Sequence, residues 1–434
     1  MKDTDKIFDY PEALRSLYAL QKFGIKFGLS KTSNLLATFD NPHLKGRYVH
    51  IGGTNGKGSV AAMIESTLIG AGYRVGLYTS PHLVRFTERF RVNGREIEPE
   101  AVAGLTRELL DASDPEEPPT FFEVVTAMAL VYFAREEVDI AIMEVGMGGR
   151  LDATNVIRPL VSVITNISME HQAYLGKRLM DIAREKAGII KPGVDLVTGV
   201  IQEPVIRLYE SICREKGTVM IRLGKDVRYR GAGRGFNYHG AKWTLKGLEP
   251  GLSGGFQHKN GALAAAVLEV LDGNGFAVAP EQIRRGFLEV NWPGRMQVMA
   301  TNPLIVVDGA HNPRATRALA LALPREFSYR RLILLIGVMA DKDIPAVLKG
   351  IIPMADFVIY TRPVYDRAAD PEVLKKAADP MGKPCRTAGG LVEALDKARE
   401  MADSQDLILI TGSLFTAGEA LSILDPKTYR PDEV

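Results

Sequence analysis

The chain has 434 residues, 46% hydrophobic, 24% charged and 7% aromatic, with a formal net charge of +2. That composition belongs to a globular protein too long for one ordinary core, so two or three domains are expected, and it lacks the clustered basic excess of a nucleic-acid binder. Its two cysteines, Cys213 and Cys385, form no Cys-x-x-Cys, no apolar run follows Met1 and none reaches membrane-spanning length, so a cytoplasmic protein without a disulfide framework, thiolate metal site or membrane partner is expected.

In chain order, Ile7 to Leu36 reads as helical and then loop-like, with FGLSKTSNLL at its end. Tyr48 to Ser59, YVHIGGTNGKGS, follows: a short buried strand feeding a loop of Gly52, Gly53, Gly56 and Gly58. The next residues, VAAMIESTLIGAGY, carry the apolar spacing of a helix. Glycines let backbone N–H groups close on a phosphate, and a helix N-terminus adds positive potential. Lys57 supplies a full charge for terminal phosphates, and Ser59 or Thr54 a hydroxyl. The spacing departs from GxxxxGK[ST], because Gly58 stands between lysine and serine. A glycine-rich turn with a solvated lysine is the simpler alternative, and the strand–loop–helix context argues against it.

Beyond the loop, Arg74–Ser80 reads as a strand and Arg89–Ile97 as a hairpin turning on Asn93-Gly94. Helices are expected near Pro99–Ala112 and over Phe121–Arg135. Val138–Gly146 and Val161–Ile167 are continuous apolar runs, as strands buried on both faces should be. Their alternation with helices predicts a parallel α/β sheet. From Thr218 to Gly255 the pattern weakens into short strand-like pieces, and the basic run Arg222–Arg234 reads as hairpin strands with solvated faces. A helix resumes at His258–Leu271. After NWPGRM (Asn291–Met296) a second α/β series begins, with strands expected at Leu304–Ala310, Arg331–Val338, Asp356–Thr361 and Asp406–Gly412. The expected architecture is an N-terminal P-loop-type ATPase domain with a helical arm and a largely parallel sheet, residues 1–296. A smaller Rossmann-like α/β domain, residues 297–434, completes it, with the active site in the cleft between them.

Polar residues at the ends of the buried runs carry the chemical signal. Ser80 ends one run, and Glu144 is a carboxylate inside IAIMEVGMGG, expensive to bury unpaired. A metal ion or a basic side chain would answer it. Oxygen ligands from Ser80 and Glu144 suit Mg²⁺, which accompanies phosphates. His171, in NISMEHQAYLG, reads by itself as a structural histidine, and Lys186 as a surface lysine on a helix.

The glycine loop is followed in order by TSPHLVRFTERFRVNG (79–94), TFFEVVTAMAL (120–130), EVGMGGRLDATNV (144–156) and EHQAYLG…EKAGIIKPG (170–193). HKNGALA (258–264), WPGRM (292–296), DGAHNP (308–313) and TGSLFTAGEAL (411–421) complete the series. Together they resemble the folylpolyglutamate synthase/dihydrofolate synthase family of the Mur ligase superfamily over nearly the whole chain. The resemblance implies an ATP-dependent ligase that adds L-glutamate to dihydropteroate, and to reduced folates through the γ-carboxylate, by way of an acyl phosphate. It implies that Asn55, Gly56, Lys57, Gly58 and Ser59 wrap the ATP phosphates, with Asn260 on adenine, Arg295 on phosphate and Asp308 on the nucleotide. Two Mg²⁺ ions would be held by Ser80 and Glu144 and by Glu144 and His171, with Lys186 carbamylated as a further ligand. His311 becomes a catalytic candidate between the domains. The pterin is implied to meet Thr120, Phe121, Phe122 and Glu123, then Leu151, Asp152 and Ala153, and the loop Gly28, Leu29 and Ser30. Phe122 as a core aromatic and Asp152 paired with Arg150 are the structural alternatives.

Three rivals are weighed against this. A murein-type amino-acid ligase would carry a nucleotide-sugar domain ahead of its ATP loop, and the residues before Gly52 leave room only for a helical arm. A non-catalytic nucleotide-binding module would not need Ser80, Glu144, His171 and Lys186 together. A folylpolyglutamate synthase without the first activity stays open, and a monomer is the family's common state.

Overall fold

The computed structural model describes residues 8–24 and 28–433. In its N-terminal part α1 (Tyr10–Ala19) and α2 (Ser30–Ala37) precede β1 (Tyr48–Gly52), α3 (Lys57–Gly70) and β2 (Val75–Tyr78). The hairpin β3 (Phe90–Val92) and β4 (Arg95–Glu96) turns on Asn93 and Gly94, both at positive φ, the backbone that a two-residue hairpin turn requires. Then come α4 (Pro99–Asp111), α5 (Phe121–Arg135), β5 (Ile140–Glu144), β6 (Val161–Ile164), α6 (Gln172–Leu175) and α7 (Leu179–Ala187). β7 (Asp195–Thr198), α8 (Glu203–Glu215) and β8 (Met220–Arg222) close an eight-stranded sheet of order β4-β3-β2-β5-β1-β6-β7-β8.

The middle strands are parallel and buried along their length, as their uninterrupted apolar runs predict. Alternation along β1 sends Val49 and Ile51 to one face, where α3 packs with α9 (Phe256–Gly273) and α10 (Pro280–Leu288). Tyr48 turns to the other face, covered by α1, α2, α4 and α5. Helix α3 is buried nearly all round because helices flank it as well as the sheet. Register fixes what meets at the carboxyl edge: Ile51 stands opposite Glu144, and Gly52 opposite Ile164. The loops leaving β1, β5 and β6 therefore emerge side by side.

A separate antiparallel sheet of β9 (Arg228–Ala232), β10 (Gly235–His239) and β11 (Thr244–Leu248) precedes α9. All five residues of β9 are exposed, in keeping with solvated hairpin faces for the basic run.

The C-terminal sheet has the order β12-β13-β17-β14-β15-β16. Its elements are β12 (Gln297–Thr301), β13 (Leu304–Val307), α11 (Pro313–Glu326), β14 (Leu332–Ile336), α12 (Ile344–Lys349) and β15 (Phe357–Tyr360). α13 (Pro371–Ala378), β16 (Cys385–Thr387), α14 (Leu391–Met401), β17 (Leu407–Thr411) and α15 (Leu414–Leu424) follow. Only the β12–β13 pair is antiparallel. The molecule is thus a two-part α/β protein.

One expectation is corrected. The stretch read as loop-like before Leu36 is the helix α2, because Thr32, Leu35 and Leu36 make a buried stripe at helical spacing that docks on α5. Of the segment Ile7–Leu36, Ile7 and residues 25–27 lie outside the described residues. Both cysteines are free, and among the described residues no helix is long and apolar enough to cross a membrane.

Candidate active site in the interdomain cleft

A cavity of about 920 Å³ opens between the two sheets. The glycine loop forms its floor. Gly56 has φ +87° and a Cβ there would stand 2.6 Å from Asn260 Oδ1, so only glycine fits. The loop is tied to the end of β6: the Asn55 carbonyl accepts from Thr165 Oγ1 (2.8 Å) and Asn166 Nδ2 (2.7 Å). Helix α3 begins at Lys57 with no side chain capping it, leaving its first N–H groups directed at the cavity as a ready anion site. Gly58 and Ser59 lie in this first turn, and Ser59 Oγ accepts from Gln257 Nε2 at 3.4 Å.

Four predicted residues converge beside that turn. Lys57 Nζ lies 3.7 Å from Glu144 Oε1, and the Ser80 N–H donates to Glu144 Oε2 at 3.4 Å. Burial pushes the Glu144 carboxyl up while the Lys57 charge draws it down. Lys186, read from sequence alone as a surface lysine, is buried. Its Nζ sits 2.7 Å from Glu170 Oε1 and donates to the Gly53 carbonyl at 3.0 Å. Although burial opposes it, Lys186 holds Glu170 near pKa 2. Burial lowers the Lys186 pKa and brings His171 to about 4, so its imidazole is neutral.

The residues fit a hard cation. Among the described residues no three His, Cys, Asp or Glu side chains form a cage, so protein ligands alone would not complete a site. A buried carboxylate, a hydroxyl and a neutral imidazole beside a phosphate cradle are what Mg²⁺ uses when phosphate oxygens and water fill its other positions.

The opposite wall comes from the C-terminal part. Asp308 accepts from the N–H groups of Met296 (2.9 Å) and Ala310 (2.8 Å), and burial pushes its carboxyl up against the pull of Arg295. His311 Nδ1 donates to the Gly309 carbonyl at 2.9 Å, which leaves Nε2 as acceptor; burial lowers its pKa to about 4. Asn312 caps α11 and exchanges amide hydrogen bonds with Asn55 at 2.7 and 3.3 Å, joining the two walls. Asn260 is held by Gln257 Oε1 at 2.8 Å.

The predicted pterin residues stand apart: none of Gly28–Ser30, Thr120–Glu123 or Leu151–Ala153 lines the cavity. Thr120 and Glu123 form a reciprocal capping box at the start of α5. Asp152 is not paired with Arg150, which binds Glu185 instead. Its carboxylate accepts from Met147 N (2.8 Å), Thr154 N (3.1 Å) and Thr154 Oγ1 (2.5 Å). Phe121 stacks on Tyr18 (5.7 Å between centroids), and Phe122 tilts against Tyr78 and lies against Gly146, which does line the cavity. Lys31 donates to the carbonyls of Glu117 and Pro118, which brings the Gly28–Ser30 loop beside the entry to α5. The three stretches therefore gather behind the cavity wall. Among them lies Arg89, a buried guanidinium over Phe86 and Phe121, its Nε bonded to His82. Asn166 and Glu170, which line the cavity, and Gln257 and Asn312, which hold residues that do, carry no signal of their own in the sequence. Glu170 and Asn312 stand next to His171 and His311 in the chain.

Residues 51–268 match the Mur ligase middle domain and residues 294–414 the Mur ligase glutamate ligase domain. A probable bifunctional folylpolyglutamate synthase/dihydropteroate synthase of Haloferax volcanii is 37% identical over 97% of this chain, which spans only 52% of that longer protein. The dihydrofolate synthase/folylpolyglutamate synthase of Bacillus subtilis is 32% identical, with 94% of this chain and 97% of that one covered. The Escherichia coli FolC structure in complex with DHPP and ADP superposes with a TM-score of 0.88 at 31% identity, covering 96% of this chain and 98% of that one. Matches of that identity and extent place the chain in the dihydrofolate synthase/folylpolyglutamate synthase family of Mur ligases.

Proposed function

We propose that the chain joins L-glutamate to dihydropteroate and to reduced folates at the expense of ATP, as both dihydrofolate synthase and folylpolyglutamate synthase. The observation that carries this is the convergence of Lys57, Ser80, Glu144, His171 and Lys186 on an uncapped helix N-terminus inside a two-walled cleft. The division at 296/297 and a cytoplasmic monomer belong to the same reading.

The residues act as follows. The N–H groups of Asn55 to Ser59 and the Lys57 ammonium hold the terminal phosphates and draw off the charge that develops on transfer. Ser80, Glu144 and His171 would hold Mg²⁺, which would supply Lewis-acid neutralisation of phosphate charge. The substrate carboxylate attacks the γ-phosphorus, releasing ADP and giving an acyl phosphate. The glutamate amine then attacks the acyl carbon, one N–H proton leaves, and the tetrahedral intermediate expels inorganic phosphate to give the amide. His311, which lines the cavity with Nε2 left as a neutral acceptor, would take the proton that the amine loses. The Asn55–Asn312 exchange draws the walls together, keeping water from the acyl phosphate. Burial lowers the Lys186 pKa against the hold of Glu170, which eases the loss of the ammonium proton that carbamylation by CO₂ requires.

Phosphate release from Mg·ATP and L-glutamate tests the reading, with products weighed by mass spectrometry. Glutamate-dependent turnover with both dihydropteroate and tetrahydrofolate is expected; turnover with one alone would reduce the reading to a single synthase.

A further inference from the structure

Two cations in the cleft have no part in the chemistry above. Lys259 is the fourth residue of α9, and its Nζ donates to the Gly199 carbonyl at 2.6 Å. Arg314 is the second residue of α11, and its Nη1 donates to the Ile167 carbonyl at 3.0 Å. One comes from each part of the molecule, and both line the cavity. Their carbonyl partners lie just past the ends of β7 and β6, which pair in parallel with Thr198 opposite Ile164, so the two heads share one short stretch of the sheet's edge. Among the described residues neither forms an ion pair with a carboxylate. The Arg314 charge adds to burial in bringing Lys259 down to about 8. Two partly desolvated cations set side by side without an acid are costly and have free N–H groups to offer a ligand.

Strand order says which part of a nucleotide reaches them. Glu144 ends β5 and Ser80 follows β2, on one side of β1, whereas β6 and β7 lie on the other. A γ-phosphate turned toward Glu144 and the acyl acceptor sends the nucleoside the opposite way, past Asn260 toward Gly199 and Ile167. We propose that Lys259 and Arg314 are specificity-determining residues that clasp the purine ring of ATP between the two parts of the molecule. A purine offers a π face and ring-nitrogen lone pairs, which unpaired cations can meet without a second anion. The clasp rests on the nucleotide reading above and extends it to residues outside the phosphate cradle.

The test compares Mg·ATP with Mg·tripolyphosphate, the latter measured by competition, on the full chain and on Lys259→Met, Arg314→Ala and Arg314→Lys. Each of the first two variants should weaken ATP roughly five- to tenfold and leave tripolyphosphate within about twofold of the wild type. Arg314→Lys keeps the charge, loses the planar head, and should weaken ATP less. It also decides the matter if Arg314→Ala melts early. Equal losses for both ligands would make the pair a phosphate contact and overturn the clasp, as would unchanged ATP affinity in folded variants. Failure of the wild-type chain to bind Mg·ATP at all would sink the nucleotide reading itself.

Discussion

The cleft floor and the aromatic region behind its wall carry the same kinds of residue in opposite states. On the floor, Lys57 and Glu144 meet only loosely at 3.7 Å, α3 begins without a side-chain cap, and among the described residues Lys259 and Arg314 pair with no carboxylate. Behind the wall, Thr120 and Glu123 accept from each other's backbone N–H and Asp152 accepts from Met147 and Thr154. Unspent hydrogen-bonding capacity at buried charges marks where a ligand is awaited, because such groups are otherwise expensive. Saturated polar groups mark where the chain holds its own shape. By that criterion Arg89, which among the described residues has no ion-pair partner, is a better candidate for touching a pterin than Asp152 or Glu123.

Replacing Glu144 by Ala should cost ligation about 10³-fold or more and leave the melting temperature close to that of the wild type, since a poorly paired buried carboxylate is lost. Near-normal turnover would break the contrast at its strongest point. Next in size, Lys186→Ala should lose roughly 10²-fold in turnover and recover part of it when formate or acetate is added. Wild-type rates without additive would return Lys186 to a structural partner of Glu170.

Asp152→Asn sharpens the comparison from the other side. Loss of charge-assisted bonds to Met147 and Thr154 should destabilise the fold by about 1–3 kcal/mol, with KM for dihydropteroate changed little. A raised KM at unchanged thermal stability would mean that the carboxylate serves the ligand after all. Smallest is Asp406→Asn, far from the cleft. Arg331 holds the Asp406 carboxyl down to about 2, against burial. A depressed carboxylate stabilises fully above its ordinary pKa of 3.8 and loses that contribution as the pH falls toward 2. The melting-temperature gap between wild type and variant should therefore be present at neutral pH and close between about pH 4 and pH 2. Turnover at neutral pH should not change.

The sequence disclosed whatever depends on local pattern. The runs at Val49, Ile142 and Val163 announce buried parallel strands, and helix Phe121–Arg135 is found where its apolar spacing puts it. The short strands β7, β8, β12 and β16 carry three to five residues each, too few for period to separate them from loops. Lys186 shows the same limit at the site. As a single lysine on an amphipathic helix it reads as solvated, and only the fold, which sets α7 against the glycine loop, makes it a buried cation at Gly53. Partnerships across hundreds of residues, such as Asn55 with Asn312, leave no mark in spacing at all.

In the proposed function the two walls of one cleft carry out a single glutamate-dependent ligation. Mass-resolved product formation from Mg·ATP, L-glutamate and dihydropteroate measures it most directly. One phosphate should be released per glutamate joined, with turnover continuing on tetrahydrofolate. Phosphate release that does not depend on glutamate, with no ligated product from either pterin, would contradict it.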